Sequence, residues 1–568
     1  MYFAPEIQIR MKQPTLPLVL LLTFFLPLHA FSQSEPFSKR VVSTGFNSAW
    51  EVLYGPNDSL WVTENKAYLV RRVSIATGVK TTLLNLRSTD ASINFDESTS
   101  DWPQGGLMGL VLHPNLYSSD PAVRAAKPWV YIAYVYSKGT CASPNGCFYT
   151  TKIVRYNYSG NTLSSPQIVL DNLPGSSDHN SGRLVISPQI EEAGGGLNDQ
   201  YRLYYTIGDM GAGQFANQNR TQRAQTLDAF EGKVLRINTE TDGDSGADAW
   251  VPDNNPFYNG TPISARDYVY TMGHRNAQGL VWGQVNGNYM LYSTEQMDKT
   301  DDEVNIIEAG KNYGWDKVAG YCEGNVNGYR IGTTASANEQ AFCSVTANNH
   351  QEPIFTTFTV PASGMAALYA QSDNAQWPTI ASSSVDFYKH GKIAGWQNSL
   401  LITPLKKNMV YRIRLNPNGD GVTGDTISYF RGDGNRIRRI TISPDGLKFY
   451  VARDVGASSN AGTIMEYTYT GITLALQDPR PTPERPEDRI RIYPNPTPGR
   501  IYIHGEAVFA KPLRADFCDL GGRVLKQTQS FRNDFEVDIT SFNQGMYILQ
   551  LYDGNGRPLR TQKLVYFR

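Results

Sequence analysis

A turn followed by a short apolar strand recurs six times in this 568-residue chain, and this repetition constrains the fold more than any other feature. The repeats begin at Tyr54 (YGPNDSLWVTE), Leu112 (LHPN), Ile186 (ISPQ), Val285 (VNGNYMLYSTEQ), Trp396 (WQNSLLITPLK) and Ile442 (ISPDGLKFYVARD). Each repeat joins turn residues to an apolar or alternating run, the pattern of a hairpin in a small antiparallel sheet. We therefore expect an all-β fold with six propeller blades, with a β-sandwich as the alternative.

The charge balance argues against a polyanionic partner. Lys and Arg total 52 against 53 Asp and Glu, a net charge of −1, and there is no basic tract. Nucleic acid is therefore not an expected ligand.

The N-terminus has the layout of a secretory signal peptide. Met11 and Lys12 precede an apolar run over residues 16–28, and small or polar residues follow. A membrane anchor is the alternative, but the run is short and is broken by Pro17 and Pro27. We assign residues 1–33 to the signal peptide region.

The amino-acid composition changes near the C-terminus. Residues 476–488 are rich in proline and charge, as in a stiff linker, and residues 489–568 alternate as in a small β-sandwich. The predicted propeller domain therefore spans residues 34–475.

The five cysteines suit an oxidising compartment. Cys141 and Cys147 bracket one turn-rich loop, and Cys322 and Cys343 bracket a second. We predict a disulfide across each loop, which leaves Cys518 unpaired. Metal ligation is the alternative, but no CxxC pair accompanies a suitable histidine.

Three polar segments are candidates for catalysis. His179 follows Asp178 in the loop SSDHNSGRL, where an imidazole could act as a general base. Asp209 ends an apolar strand and could orient that histidine. Arg275 and Asn276 lie between two glycines in GHRNAQG and could stabilise an anionic or carbonyl oxygen. Each residue also has an ordinary interpretation, as a surface-loop histidine or a turn-forming aspartate.

Two further clusters are charged. The segment TEQMDKTDDEV places Asp301, Asp302 and Glu303 in series beside Asp298, and such oxygen ligands in a loop suit calcium; a solvated acidic loop is the alternative. Lys406 ends a strand, and Arg436 and Arg438 share one side of an extended segment. These three cations could hold a compact polyanion, although surface solvation explains any one of them.

Taken in order, these segments resemble the soluble PQQ-dependent glucose dehydrogenases of the glucose/sorbosone dehydrogenase family, where PQQ is pyrroloquinoline quinone. The resemblance runs from about residue 37 to residue 469. The segments that carry it are PQGGLMGLVLHP, SSDHNSGRL, YYTIGD, GHRNAQGL, KNYGW, the LK at 405–406 and the RIR at 436–438.

The resemblance implies a role for each matching residue. His179 would remove the proton from the anomeric hydroxyl, Asp209 would orient it, and Arg275 would lie beside the reactive quinone carbonyl. Asn276, Lys406, Arg436 and Arg438 would bind PQQ with Arg275. Gln104, Asp178, Gln214 and Trp377 would line the sugar site.

The resemblance also implies two calcium sites. Backbone carbonyls of Met297 and Asp298 would hold the active-site ion. The second site would use Ala319, Tyr321 and Glu323, with Asp302 and Glu303 as further candidates. The family's Gly-Pro is Met297-Asp298 here, and an expected tyrosine is Asn374, so the metal and sugar sites both depart from the family pattern.

The tail, with its YPNPTPG opening and GMYILQL strand, resembles the C-terminal sorting domain of type IX secretion cargo; a carbohydrate-binding module is the alternative. It implies transport to the cell surface or medium by that machinery, with removal of the tail. The whole chain is thus expected to be an exported, PQQ- and calcium-dependent dehydrogenase that oxidises an aldose at C1 to the lactone. Electrons would pass to an external acceptor, and a homodimer is a further expectation. A calcium-dependent propeller lactonase and a non-catalytic propeller that binds glycan or protein are the alternatives. No Rossmann or P-loop motif supports nucleotide chemistry.

Overall fold

The computed structural model describes residues 35–95, 104–191, 200–242, 249–260, 262–333, 338–424, 426–432, 436–454, 461–471, 490–493, 495, 497–505, 512–519, 523–532 and 534–566. The chain divides into two compact units, residues 1–472 and 473–568. The predicted signal peptide and the predicted Pro-rich linker lie outside the described residues. The predicted all-β class is confirmed, with 48% strand and 9% helix.

Across the described residues, the first unit contains six four-stranded antiparallel sheets. The chain enters through β1 (Phe37–Phe46). The first sheet comprises β2 (Ala49–Gly55), β3 (Ser59–Glu64), β4 (Leu69–Ser74) and β5 (Lys80–Asn85). The second comprises β6 (Leu107–Leu112), β7 (Trp129–Ala142), β8 (Gly146–Ser159) and β9 (Thr162–Gly175). The third comprises β10 (Leu184–Ile186), β11 (Arg202–Ile207), β12 (Lys233–Asn238) and β13 (Val269–Met272).

The remaining three sheets follow in chain order. The fourth comprises β14 (Ala277–Val285), β15 (Asn288–Glu295), β16 (Asp302–Ile306) and β17 (Phe355–Thr357). The fifth comprises β18 (Ser382–Tyr388), β19 (Ser399–Pro404), β20 (Val410–Arg414) and β21 (Ile427–Tyr429). The sixth comprises β22 (Arg436–Ile442), β23 (Lys448–Asp454) and β24 (Gly462–Tyr469), with β1 as its fourth strand.

The sheets are arranged in a closed cycle. Their first strands contact one another in the order β2, β6, β10, β14, β18, β22 and back to β2. Because β1 pairs with β24, the N-terminal strand completes the last sheet. Neighbouring sheets cover both faces of a strand such as β3. Its residues are therefore all buried, instead of alternating between buried and exposed. This cycle is the arrangement expected of propeller blades.

Short helices and turns connect the strands. The helices are α1 (Leu86–Thr89), α2 (Pro121–Ala126), α3 (Ala265–Tyr268), α4 (Glu339–Cys343) and α5 (Ala362–Ala370). Single 3-10 turns cover Pro114–Tyr117, Phe215–Asn217, Thr346–Asn348 and Asn374–Gln376. No helix within the described residues is long and apolar enough to cross a membrane.

Both predicted disulfides are confirmed. Cys141 bonds to Cys147 across the hairpin of β7 and β8, and Cys322 bonds to Cys343 across the second loop. Cys518 is buried and takes part in neither bond.

The second unit consists of two small antiparallel sheets over one apolar core. Its strands are β25 (Ile490–Tyr493), β26 (Arg500–Gly505), β27 (Leu513–Cys518), β28 (Val524–Ser530), β29 (Phe535–Asp538), β30 (Gly545–Tyr552) and β31 (Pro558–Tyr566). One sheet has the order β25-β26-β29 and the other β28-β27-β30-β31. Alternate residues of β30 are buried, because only one face of that strand meets the core. Packing of two sheets on one core is the arrangement predicted for a β-sandwich.

A buried ionic network joins the first strands at the centre of the cycle. The carboxylate of Glu51 on β2 accepts hydrogen bonds from Arg183, which precedes β10, and from Arg439 on β22 (2.6 Å). Arg183 also donates to the carbonyls of Gln278 on β14 (2.9 Å) and Ser383 on β18 (3.0 Å). Five of the six sheets therefore share one network. Because the network is buried, the loss of any partner would leave a polar or charged group unsatisfied.

We predict that Glu51→Gln strongly destabilises the first unit. The substitution removes the carboxylate that is hydrogen-bonded to two buried guanidinium groups, and breaking such a buried pair costs about 3–5 kcal/mol. Urea unfolding followed by tryptophan fluorescence measures this unit alone, because all nine tryptophans precede residue 400.

Glu466→Gln is the matched control. It removes a buried carboxylate from the ion pair with Arg40, but the Arg40 side chain is 44% exposed, so water can solvate the charge that is left behind. We expect a loss below about 1 kcal/mol for such a pair. Equal losses in the two variants would contradict a central role for Glu51.

Candidate active site

The candidate residues lie at one end of the six sheets. In an antiparallel sheet, the start of the first strand and the end of the second strand lie at the same edge. Eight of the predicted site residues lie before or at the start of the first strand of a sheet: Gln104, Asp178, His179, Arg275, Asn276, Trp377, Arg436 and Arg438. Residues after second strands are Asp209, Met297, Asp298 and Lys406. The closed cycle therefore collects on one face side chains that are far apart in sequence.

The loop that carries His179 is held in an uncommon backbone conformation. His179 and Ser181 have φ values of 51° and 54°, a left-handed conformation that costs about 1–2 kcal/mol for residues with a side chain. Asn180 fixes the loop, since its amide donates to the carbonyls of Gln104 (2.6 Å) and Ser176 (2.7 Å). The imidazole is 5% exposed and its direction is set by the fold.

His179 and Asp209 form a hydrogen-bonded pair. Nδ1 of His179 lies 2.7 Å from Oδ1 of Asp209. Burial raises the pKa of Asp209, but its interactions with His179, Arg275 and Gln222 outweigh burial, so the pKa lies below its ordinary value. The second oxygen of Asp209 accepts from Nε1 of Trp315 (2.8 Å) and from Gln222 (2.9 Å). These donors hold the carboxylate ionised and fixed in direction.

Gln214 connects His179 to Arg275. Its amide nitrogen lies 2.9 Å from Nε2 of His179, and its amide oxygen accepts from Nη2 of Arg275 at 2.7 Å. A donor facing Nε2 makes Nε2 the acceptor, so the hydrogen-bond network assigns the imidazole proton to Nδ1. In this tautomer Nε2 carries the lone pair beside a guanidinium, so it is suited to take a proton from a hydroxyl that replaces the Gln214 amide.

Asp178 and Gln104 extend the hydrogen-bonded group formed by His179, Gln214 and Arg275. Gln104 donates to Oδ1 of Asp178 (2.9 Å), and Gln214 donates to Oδ2 (2.5 Å). The side chain of Asn276 accepts from Ser181 (3.2 Å) and donates to Gln296 (3.0 Å), so it ties two loops together. These amides form a connected polar surface around His179.

The structure also identifies functional residues that the sequence did not single out. Glu295, at the end of β15, accepts from the backbone N–H of Arg275 and from His274 (2.9 Å). Glu295 and His274 are 1% and 0% exposed, and Trp315 is equally buried behind Asp209. These residues fix the direction of Arg275 and Asp209. Their contacts join separate sheets, and the sequence signal for them was their presence in strand-end or turn segments.

Arg275 faces the segment that was expected to bind calcium. Its guanidinium donates to the carbonyls of Gln296 (3.0 Å) and Met297 (2.8 Å), and Nη2 lies 3.7 Å from Oδ1 of Asp298. Burial raises the pKa of Asp298, although Arg275 and Lys299 oppose the shift. The Met297 carbonyl that the resemblance assigned to calcium therefore contacts Arg275 in this structure.

The carboxylate of Asp302 accepts hydrogen bonds from the backbone. Its oxygens accept from the N–H groups of Met297 (3.0 Å), Ile380 (2.8 Å) and Ala381 (2.7 Å). Burial outweighs these hydrogen bonds and raises the pKa of Asp302 to about 6. Each oxygen of Asp302 therefore has a backbone donor, and these hydrogen bonds help to hold the loop.

A second acidic cluster contains Asp301, Glu303 and Glu323, around the turn that carries Ala319 and Tyr321. Glu303 accepts from Gly320 N–H (2.9 Å), and Asn325 donates to Glu323 (2.8 Å). Burial raises the pKa of all three carboxyl groups, and the repulsion of neighbouring carboxylates adds to it.

Buried oxygens near this cluster also lack partners. Among the described residues, Oδ1 of Asn325 and Oε2 of Glu339 are buried without a hydrogen bond. Repelling carboxylates beside unsatisfied oxygens fit a calcium ion, which prefers oxygen ligands.

The three predicted polyanion ligands lie at the start of β22 and the end of β19. Arg436 and Arg438 lie 3.9 and 3.7 Å from Asp454, and Arg438 donates to Gln278 (3.1 Å). Lys406 donates to Thr379 (2.5 Å) and to the carbonyl of Asn374 (2.7 Å). Within the described residues, Nε of Arg436 and Nε of Arg438 are buried without an acceptor. Burial, followed by repulsion from Arg436, lowers the pKa of Arg438 to about 10. These cations fit an anionic ligand such as the carboxylates of PQQ.

A cavity of about 290 Å³ opens beside Arg275. Gln214, Asp298, Trp315 and Trp377 contribute to its walls. Trp377 donates through Nε1 to the carbonyl of Gln371 (3.0 Å), which fixes its ring. The size and polarity of this cavity suit a small polar ligand that packs against an aromatic ring.

Comparison with known proteins identifies both parts of the chain. Residues 46–377 and 364–465 match the family model described as Glucose / Sorbosone dehydrogenase. Residues 491–566 match the Secretion system C-terminal sorting domain.

Individual relatives agree with these matches. Quinoprotein glucose dehydrogenase B of Acinetobacter calcoaceticus is 31% identical over 78% of this chain and 92% of its own length. Aldose sugar dehydrogenase YliI of Escherichia coli strain K12 is 28% identical over 62% of this chain and 75% of its own length. The solved structure of a soluble aldose sugar dehydrogenase from Escherichia coli in the apo-form superimposes with a TM-score of 0.53 at 22% identity, over 76% of this chain and 99% of that one. This last likeness concerns the fold.

The matched residues span both units and include every candidate site residue, so the chain belongs to the glucose/sorbosone dehydrogenase family and carries a secretion-system C-terminal sorting domain.

Proposed function

We propose that this protein is an exported six-bladed propeller enzyme that oxidises an aldose at C1 to the lactone, with PQQ and calcium. The observation that carries the proposal is the linkage of His179, Gln214 and Arg275 beside a cavity. A base and a cation within one hydrogen-bonded unit are what removal of a proton and a hydride from one C–OH group requires. A relative named as a quinoprotein supports the choice of cofactor.

In the proposed reaction, His179 binds the C1 hydroxyl through Nε2, in the place that the Gln214 amide holds in the free protein. The hydroxyl proton passes to Nε2 while hydride leaves C1, so the sugar loses two electrons and becomes the lactone. Asp209 accepts from Nδ1–H and stabilises the imidazolium that forms. Arg275 places positive charge where negative charge develops on the acceptor oxygen.

Cofactor and metal would occupy the sites that fit them. PQQ, when bound, would supply the electrophilic quinone that accepts hydride, and calcium would polarise it. Lys406, Arg436 and Arg438 would hold its carboxylates, and Arg275 would lie beside its reactive carbonyl, with Asn276 nearby. Met297 and Asp298 would serve one calcium ion, which would replace the contact of the Met297 carbonyl with Arg275. The second would use Ala319, Tyr321, Glu323 and Glu303.

The terminal segments set the proposed location. The second unit would deliver the enzyme through the type IX machinery to the cell surface or medium, after export by the segment at residues 1–33. Electrons would leave to an external acceptor.

We predict that the chain lacking residues 1–33, reconstituted with PQQ and calcium, reduces an electron-accepting dye when aldoses are added. Omission of PQQ is the control. Dye reduction no faster than in the apoprotein would reject the dehydrogenase function. Hydrolysis of lactones by the apoprotein would instead support the lactonase.

We predict that His179→Gln lowers kcat about 10²–10⁴-fold, the usual contribution of a general base, while PQQ affinity is nearly unchanged. Steady-state kinetics and PQQ titration measure the two effects. His390→Gln, which alters a histidine after the opposite end of β18, is the matched control and should retain full turnover. Parent-like turnover in His179→Gln would remove this residue from the base role.

We predict that calcium raises the Tm of the apoprotein by a few degrees, since a ligand of the native state at 100 times its Kd stabilises by about 2.7 kcal/mol. The effect should weaken in acid, because the cluster carboxyl groups have raised pKa values and protons compete with the ion. Glu323→Gln should reduce the calcium-induced shift. Glu308→Gln, an exposed carboxylate outside the cluster, should not, and equal shifts in both variants would contradict the second site.

A further inference from the structure

The loop closed by the Cys322–Cys343 disulfide reaches the cavity beside Arg275. Arg330 lies within this loop and contributes to the cavity wall. The loop therefore brings a cation next to the residues proposed to bind the sugar.

This segment of the loop is held on both sides of Arg330. Tyr329 stacks on Tyr369, with ring centroids 4.6 Å apart and planes at 26°. Ile331 is fully buried. Gly332 packs so closely on Gly213 that a Cβ added to Gly213 would lie 2.3 Å from its carbonyl. Packing therefore holds the backbone at Arg330, and Gly332, two residues further on, contacts Gly213, the neighbour of Gln214.

Most other charges in this cavity have protein partners. Lys299 lies over the rings of Tyr369 (4.8 Å) and Trp377 (4.7 Å), and Asp298 faces Arg275 at 3.7 Å. Arg330 is exposed, and in the part of the chain that the structure describes no carboxylate or carbonyl accepts a hydrogen bond from its guanidinium. This guanidinium is thus free to bind an anionic ligand.

Aromatic groups surround the same opening. Phe215 is 63% exposed at the cavity, and Trp377 lies in its wall. Flat apolar faces beside hydrogen-bonding side chains suit a sugar ring, whose C–H groups are apolar and whose hydroxyls are polar. The ligand expected here combines a sugar ring with a negative charge.

We propose that the preferred substrate is an aldose that carries a carboxylate, such as a hexuronic acid, and that Arg330 binds this carboxylate. The proposal rests on the dehydrogenase function proposed above. A carboxylate carries a single negative charge and pairs with one guanidinium, whereas a phosphate monoester carries nearly two near neutral pH. Arg330 acts on specificity and takes no part in the proton or hydride transfer.

The test compares glucuronate, glucose and glucose 6-phosphate as substrates of the PQQ- and calcium-loaded full chain. Glucuronate should have the lowest KM. Arg330→Gln should raise the KM for glucuronate about tenfold, the usual size of one charged hydrogen bond, without changing kcat or the KM for glucose. High salt should raise the KM for glucuronate only.

Two variants sharpen the comparison. Arg414→Gln, which alters an exposed arginine at the end of β20, is the matched control and should leave all three KM values unchanged. Arg330→Lys should retain part of the preference for glucuronate, which loss of loop structure would not allow.

The outcomes separate the two proposals. Oxidation of glucose and glucuronate with equal KM values, or an unchanged glucuronate KM in Arg330→Gln, would overturn the specificity role alone. A preference for glucose 6-phosphate would overturn the assignment to a carboxylate. Failure to oxidise any aldose would overturn the dehydrogenase function and this inference with it.

Discussion

The carboxylate of Glu51 is the contact on which the arrangement of the sheets depends. It neutralises Arg183 and Arg439, whose donors also reach carbonyls on two further first strands. Buried charges are costly unless they are paired, so the network is satisfied only when five sheets meet with their first strands in register. Arg183 is also four residues from His179, which couples the centre of the cycle to the catalytic loop.

The candidate site follows from this closure. Each sheet supplies strand ends, and the base, its partner and the cation come from more than one sheet. His179 and Asp209 come from the third sheet, Arg275 precedes the fourth, and the loop of Gln214 bridges them. Because buried groups behind the site fix these side chains, the polar surface is organised before any ligand binds, which reduces the reorganisation needed during reaction.

The sequence predicted the all-β class, because the turn and strand pattern is local, and it predicted both disulfides from loops that the cysteines bracket. The meeting of His179 with Arg275 followed from family resemblance, since residue spacing alone left each as an ordinary loop residue.

The buried partners were not predictable in the same way: Trp315 contacts Asp209 across 106 residues, and Arg439 contacts Glu51 across 388. Local patterns carry no information about such pairs. Asp302 is a similar case, because the sequence suggested it as a calcium candidate but did not reveal its hydrogen bonds to three backbone N–H groups.

Stopped-flow reduction of the PQQ-loaded protein by an aldose deuterated at C1 tests the central chemistry most directly. If His179 takes the hydroxyl proton as hydride leaves C1, deuterium slows the spectral change of the cofactor, and the same substrate yields the lactone. Equal rates for the deuterated and ordinary sugars, with lactone formation undetected, would contradict hydride transfer at this site.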